Sequence, residues 1–147
     1  MYYNGEGVAK DLNRAAGLYQ RACDAGGSGG CLNLASMYLQ GEGLPKDSNR
    51  AANLYQRACD AGSPPGCVRL GLMYSNGEGV AKDLNRAAGL FKRACDAGGS
   101  GGCLNLGLMY EHGRGMAKDR NRAADLFKQA CDSGFDPGCK NLARLKR

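Results

Sequence analysis

The chain has 147 residues, 43% of them hydrophobic and 23% charged, with a formal net charge of +6. That composition supports a folded core and excludes a disordered segment. No run of 18 or more apolar residues occurs, so no membrane insertion is expected. A single histidine, no tryptophan, eight cysteines and 24 glycines are a poor inventory for a buried catalytic cleft.

An internal repeat organises what remains. Asn13-Arg14-Ala15-Ala16 returns at Asn49-Arg50-Ala51-Ala52, Asn85-Arg86-Ala87-Ala88 and Asn121-Arg122-Ala123-Ala124, each time 36 residues on. Residues 4–38 and 76–110 are identical at 31 of 35 positions, differing only at Tyr19/Phe91, Gln20/Lys92, Ala35/Gly107 and Ser36/Leu108. A fixed period of this length with helical patterning predicts a solenoid. We expect one all-α domain over 1–147, a right-handed α/α superhelix of four helix-pair repeats at 4–39, 40–75, 76–111 and 112–147.

In chain order, Met1-Tyr2 aligns with Met37-Tyr38, Met73-Tyr74 and Met109-Tyr110. Residues 1–3 are therefore expected to be the remnant of a preceding repeat, in a fragment whose upstream repeats and signal peptide are missing. Gly5-Glu6-Gly7, Gly41-Glu42-Gly43 and Gly77-Glu78-Gly79 read as turns, without the strand, spacing or lysine of a phosphate loop. Asp11, Asp47, Asp83 and Asp119 follow, each placed to cap a helix. In the second unit that helix carries Ala51, Leu54, Tyr55 and Ala58 at i, i+3, i+4 and i+7, one apolar stripe. Gly26, Gly62, Gly98 and Gly134 follow its end as left-handed terminators.

For the alternate helices, Ser28, Ser100 and Asp136 are the expected N-caps, with Pro65 and Pro137 at first helical positions. Their stripe is Cys31, Leu34, Ala35 and Tyr38. At the far end Lys146 stands in the tyrosine column and Arg144 in the Ser36/Leu72/Leu108 column, the polar finish a terminal repeat needs. The glycines read mostly as punctuation between helices. No stretch alternates with period two, so almost no strand is expected.

The pattern Gly-x-Gly-Val/Leu, Asp, Arg-Ala, Leu-Tyr/Phe, Ala and Gly, then Leu-Ala/Gly-x-Met-Tyr, resembles the Sel1-like repeat, a relative of the tetratricopeptide repeat, over essentially the whole chain. Two columns depart from it. Cysteine stands where alanine is usual, at Cys23, Cys59, Cys95 and Cys131 and at Cys31, Cys67, Cys103 and Cys139. This is similar to the cysteine-rich secreted Sel1-like proteins typified by the Helicobacter cysteine-rich family. The resemblance implies a β-lactamase or penicillin- and peptidoglycan-binding label for some relatives, although no residue here explains it.

Eight cysteines allow two repeat-consistent pairings. Pairing Cys23–Cys31, Cys59–Cys67, Cys95–Cys103 and Cys131–Cys139 uses all of them; shifting to Cys31–Cys59 and onward strands Cys23 and Cys139. The first is expected, because alanine-sized columns mark where helix backbones approach to disulfide distance. Zinc is a weak competitor, with no Cys-x-x-Cys and only His112 to add nitrogen. No metal or other cofactor is expected. Four disulfides imply a secreted or periplasmic location.

Catalytic candidates are few. Gly26 to Gly30 and Gly98 to Gly102 match Gly-x-Ser-x-Gly formally, but a nucleophile elbow follows a strand, and here the serine joins two helices. His112 aligns with Gln40 and Asn76 in a polar helix-end column and reads as a surface residue. Net charge by unit is 0, +1, 0 and +5, so the basic excess sits at one end instead of running along a face, and nucleic-acid binding is not expected.

Function is therefore expected on a repeated surface. By resemblance to the tetratricopeptide architecture, the residue before each Leu34, Leu70, Leu106 and Leu142 should face the concave groove: Asn33, Arg69, Asn105 and Asn141. An asparagine ladder can hold a peptide backbone, and Arg69 a carboxylate. Leu72 and Leu108 are expected as apolar groove residues, their alternative being to pack on the neighbouring helix. The expected function is a non-catalytic, monomeric scaffold or adaptor for a peptide or protein segment.

Overall fold

The computed structural model describes residues 5–147, with side chains from Asp11 onward; the Met1-Tyr2 pair lies outside the described residues. Eight helices follow one another: α1 (Gly5–Asp24), α2 (Ser28–Gln40), α3 (Ser48–Asp60), α4 (Pro64–Asn76), α5 (Leu84–Asp96), α6 (Ser100–His112), α7 (Arg120–Asp132) and α8 (Asp136–Leu145). No strand occurs among the described residues.

The odd-numbered helices start and stop largely as their residues dictate. Asp47, Asp83 and Asp119 each accept a bond from the backbone N–H three residues on, at 3.0 Å, satisfying one of the donors a helix start leaves open. At the other end of α3, Gly62 has φ +92°, its N–H bonds Cys59 O at 2.9 Å, and the Ser63 N–H bonds Ala58 O at 3.0 Å. This double bond pattern needs a left-handed residue, which glycine supplies without strain. Gly26, Gly98 and Gly134 repeat the conformation.

The alternate helices begin one residue earlier than the sequence predicts. Ser28, Ser100 and Asp136 occupy the first helical position; the caps are Gly27, Gly99 and Phe135, none making a side-chain bond. Ser63 is the cap of α4, its Oγ accepting from the Gly66 N–H at 3.4 Å, so Pro64 comes first and Pro65 second. Pro137 is likewise second, after Asp136. One residue closes one helix and opens the next: the Gly27 N–H bonds Ala22 O at 2.8 Å while the Gly27 carbonyl accepts from Cys31 N–H at 3.3 Å.

A second correction concerns the first segment. Gly5-Glu6-Gly7 is not a turn and Asp11 does not begin a helix, because α1 runs through both. Yet Gly77–Asp83, identical in sequence to Gly5–Asp11, is the loop entering α5. The preceding helix imposes that loop: the left-handed Gly77 caps α4 on Met73 O, and the Asp83 N–H returns to Tyr74 O at 2.9 Å. For Gly5 and Asp11 the matching acceptor positions, Met1 and Tyr2, lie outside the described residues, and Gly5–Asp11 is helical.

Each helix packs on its chain neighbours. Each even-numbered helix also comes close to the next even one along its backbone, whereas the backbones of successive odd helices stay apart and meet only through side chains. In a curved stack the inner elements are the ones that come together, so the even helices form the inner side of the solenoid. The expected stripes are the core: Cys31, Leu34 and Ala35, and Ala51, Leu54, Tyr55 and Ala58, are buried, with Tyr38 half-buried.

Not every glycine is punctuation. Gly66 is buried inside α4, where a Cβ would lie 2.8 Å from both Ala58 Cβ and Cys59 N of α3. Gly30, Gly102 and Gly138 stand in the same place. That close approach brings the adjacent cysteines within reach. Cys23–Cys31, Cys59–Cys67, Cys95–Cys103 and Cys131–Cys139 are bonded, with Cα separations of 4.5–4.6 Å.

At the far end, Leu145 is buried beside Phe127, and the Arg120 guanidinium donates to the Leu145 carbonyl. Arg144 forms two bonds of 2.7 Å to the Glu111 carboxylate. The final helix is therefore fastened to α6 through its polar side.

Candidate functional site

The even-helix face carries the residues singled out by the repeat. Asn33 on α2 and Arg69 on α4 are exposed; Asn105 on α6 and Asn141 on α8 are half-buried. Two of the three asparagines spend a donor within their own helix. Asn105 Nδ2 donates to Gly101 O at 2.8 Å and Asn141 Nδ2 to Pro137 O at 2.8 Å, the back-bonding available to a side chain one turn on. Asn141 Oδ1 also accepts from Arg144 at 2.9 Å.

Leu72 and Leu108 are half-buried and have partners. Leu72 packs on the cluster of Phe91, Leu106 and Met109, and Leu108 on that of Phe127 and Ala123. They are thus attached to the following helix while keeping part of their surface open. Leu72, Asn105 and Leu108 share a hollow of about 230 Å³ with Ser75, His112 and Arg114. The structure brings these three predicted residues together; Asn33, Arg69 and Asn141 lie outside that hollow.

One unit earlier the equivalent place is polar. Tyr55 stands in the column of Phe91 and Phe127, and Ser36 in the column of Leu72 and Leu108. Burial pushes the Tyr55 phenol above its usual pKa, opposed by the positive charge of Arg69 and a hydrogen bond with Ser36. Sequence reasoning placed Ser36 and Arg69 in groove columns but did not couple either to Tyr55.

Ser28 and Ser100 open α2 and α6. His112 closes α6, so it stands twelve positions from Ser100, roughly 18 Å along the axis. His112 is exposed, with Nε2 3.7 Å from Glu111. All eight cysteines are in disulfides, and no group of three His, Cys, Asp or Glu suited to a metal occurs among the described residues.

Four of the nine basic residues of the last unit are in ion pairs. Arg122 pairs with Asp119, Lys128 with Asp132, Lys140 with Asp136 and Arg144 with Glu111. No described helix is long and apolar enough to cross a membrane.

Two features of the odd-helix side escaped the sequence. The arginine of the last three Asn-Arg-Ala-Ala blocks returns to the preceding tyrosine: Arg50 to Tyr38 Oη at 3.1 Å, Arg86 to Tyr74 at 3.1 Å and Arg122 to Tyr110 at 3.2 Å. Each guanidinium lies 5.6 Å from the ring centroid, a cation–π arrangement. Further along, Arg57 and Arg93 reach from α3 and α5 to the end of the previous odd helix. The constant spacing of tyrosine and arginine was the readable signal for the first; the second is a long-range contact with no local signature.

Family and structural comparisons agree with this architecture. The Sel1 repeat family model matches residues 1–27, 28–63, 64–99 and 100–135. No curated protein matches the chain in sequence. Among solved structures, the chain is similar to a Sel1 repeat protein from Oxalobacter formigenes, with TM-score 0.86, 31% identity, 95% of this chain and 57% of that one. It is similar to the Helicobacter pylori cysteine rich protein B, with TM-score 0.75, 34% identity, 95% of this chain and 100% of that one. A protective antigen of uropathogenic Escherichia coli displaying an SLR fold aligns with TM-score 0.82 and 28% identity over 88% of this chain and 28% of that one. The chain thus spans under a third of the antigen and a little over half of the Oxalobacter protein. Repeats of this kind are typically protein-interaction modules. Four matched repeats and eight helices in one stack lead to one assignment: the chain belongs to the Sel1 repeat family.

Proposed function

We propose that this chain is a non-catalytic binding module, secreted or periplasmic, that holds a peptide or protein segment against its even-helix face. The observation that carries the reading is the hollow where Leu72 and Leu108 offer apolar surface beside Asn105 and His112. An extended segment placed there finds apolar contact for one side chain and an acceptor for a backbone N–H. Asn33 and Arg69 continue the face toward α2 and α4, where Arg69 suits an acidic group on the same segment. Four disulfides support the oxidising location, as does the likeness to the Helicobacter pylori cysteine rich protein B.

The test is selection of peptides from a displayed library on the oxidised protein, followed by affinity measurements on the double variant Asn33→Ala/Asn105→Ala. Affinity should fall at least fivefold while the melting temperature stays within a degree or two, because neither side chain is buried. Unchanged affinity removes the asparagines from the site. Hydrolysis of a chromogenic β-lactam by the oxidised protein, well above that of a reduced control, overturns the non-catalytic reading.

A further inference from the structure

Charge is sparse on the even helices that face the candidate site. α2 and α4 carry one charged side chain between them, Arg69. α6 adds His112 and Glu111, and Arg144 already holds the Glu111 carboxylate through two bonds of 2.7 Å. Loss of charge with arginine retained is the composition of a contact surface. Arg114, in the loop after α6, is exposed and makes no ion pair among the described residues.

The hollow between α4 and α6 also contains a polar group left over. Ser75 is only 6% exposed and lines the hollow, yet its hydroxyl makes no hydrogen bond among the described residues. Its oxygen is not sealed off by protein, so it opens into the hollow. The surrounding wall is apolar: Leu72, Phe91, Leu108 and Met109. A hydroxyl in such a place is costly until something bonds it. No acidic residue lines the hollow, and its one fixed charge is Arg114. Glu78, two residues beyond Asn76, is exposed and does not pair with Arg114.

The other repeats serve as an internal control. One unit earlier the same columns hold Leu39 in place of Ser75 and Glu78 in place of Arg114, and Glu42 stands one unit before that. A helix C-terminus favours a nearby cation, but glutamate follows the C-termini of α2 and α4 at this position. Helix ends therefore do not dictate the arginine, and they do not account for the buried hydroxyl.

Taking this face as the peptide-binding one, we propose that the bound segment inserts a glutamate side chain into the hollow. Its carboxylate accepts from the Ser75 hydroxyl and the Arg114 guanidinium, and its methylenes lie against Leu72 and Leu108. Charge-assisted bonds of this kind are roughly twice as strong as neutral ones, so glutamate is preferred to glutamine. A lysine or arginine at that place in the segment meets a like charge and is rejected.

Blocked glutamate (N-acetyl-glutamate α-amide), titrated into the oxidised protein and followed by amide shifts, tests the proposal. Saturable shifts are expected at Ser75, Asn76, His112 and Arg114, and the blocked glutamine counterpart should bind about tenfold more weakly. Arg114→Glu should abolish binding while keeping the fold, since glutamate already stands in that column at Glu42 and Glu78. Ser75→Ala should weaken it with Arg114 intact. N-acetyl-leucine, which offers a terminal carboxylate, should bind less well; tighter binding would assign a chain end and overturn the glutamate. No saturable shift, an equal response to glutamine, or undiminished binding to Arg114→Glu would also overturn it. If library selection yields peptides while blocked glutamate does not bind, this inference fails alone; glutamate binding without any selected peptide overturns the peptide face instead.

Discussion

The ring of Phe91 lies against Gly71 so closely that a Cβ on that glycine would sit 2.6 Å from Phe91 Cε1. Phe127 and Gly107 repeat the relationship at 2.7 Å. Where the aromatic residue is Tyr55, the residue in the glycine column is Ala35. Gly71→Ala should therefore overpack the core and cost about 1–3 kcal/mol. In a Phe91→Leu background the same change should cost less than about 1 kcal/mol, since the ring edge is gone. Denaturant midpoints of the four proteins measure the coupling, and equal costs in both backgrounds would refute the contact.

Two other glycines should respond with opposite signs. Gly89 lies inside α5 with nothing within 4 Å of a built Cβ, so Gly89→Ala should stabilise by about 0.5–1 kcal/mol through helix propensity. Gly79 has φ +74°, and a Cβ there would meet Ser48 O at 2.4 Å. Gly79→Ala should destabilise by more than about 1 kcal/mol. Thermal melts read both, and a shared sign would contradict the loop packing.

Acid should loosen the end of the stack. The two Arg144 bonds hold the Glu111 carboxyl below the usual carboxylate range, with burial opposing, and the side chain is only 11% exposed. A carboxyl depressed in the folded state stabilises fully above its unfolded pKa and loses that contribution as pH falls through the folded one. Arg144→Gln should therefore be less stable than the wild type at neutral pH, with the difference shrinking toward about pH 3. Denaturation curves across that range measure it; a constant difference would mean the pair does not titrate as described.

The disulfides set the largest local increment. Each closes a loop of nine residues, counted from Cys23 through Cys31. Chain entropy then gives a stabilisation of about 2.5 kcal/mol per bridge. Cys95→Ala/Cys103→Ala should lose up to that amount, and full reduction should raise the intact mass by eight hydrogens, one per cysteine. Free thiols titrated in the unreduced protein would contradict the pairing.

What the sequence revealed and what it hid follow from range. Asp47 capping Arg50, Gly62 ending α3 and Cys59 bonding Cys67 all act within nine residues, and the period repeats each of them, so spacing alone exposed them. The start of α2 was misplaced because Gly27 serves two helices at once, and residue type does not announce that double duty. Gly5–Asp11 was misread because its conformation elsewhere is imposed by carbonyls outside the segment. At the candidate site, the shared column of Asn33, Arg69 and Asn105 was legible, but the bond from Asn105 to Gly101 was not. The Phe91–Gly71 contact left a trace in the columns: Phe91 goes with Gly71 and Phe127 with Gly107, whereas Tyr55 goes with Ala35. Such linked changes mark neighbours in space, and only a three-dimensional arrangement shows which partner goes with which.

The residue shared between consecutive helices also gives the molecule alternating mechanical joints. At Gly27, Ser63, Gly99 and Phe135 the turn has no slack and a disulfide spans it, so each helix pair joined there behaves as a rigid lever. At Gly41–Asp47 and the two corresponding loops, only hydrogen bonds and side-chain packing hold the angle. A ligand that bends the stack must do so at those loops, where amide exchange should be fastest, and each small rotation there is carried undiminished along two helices.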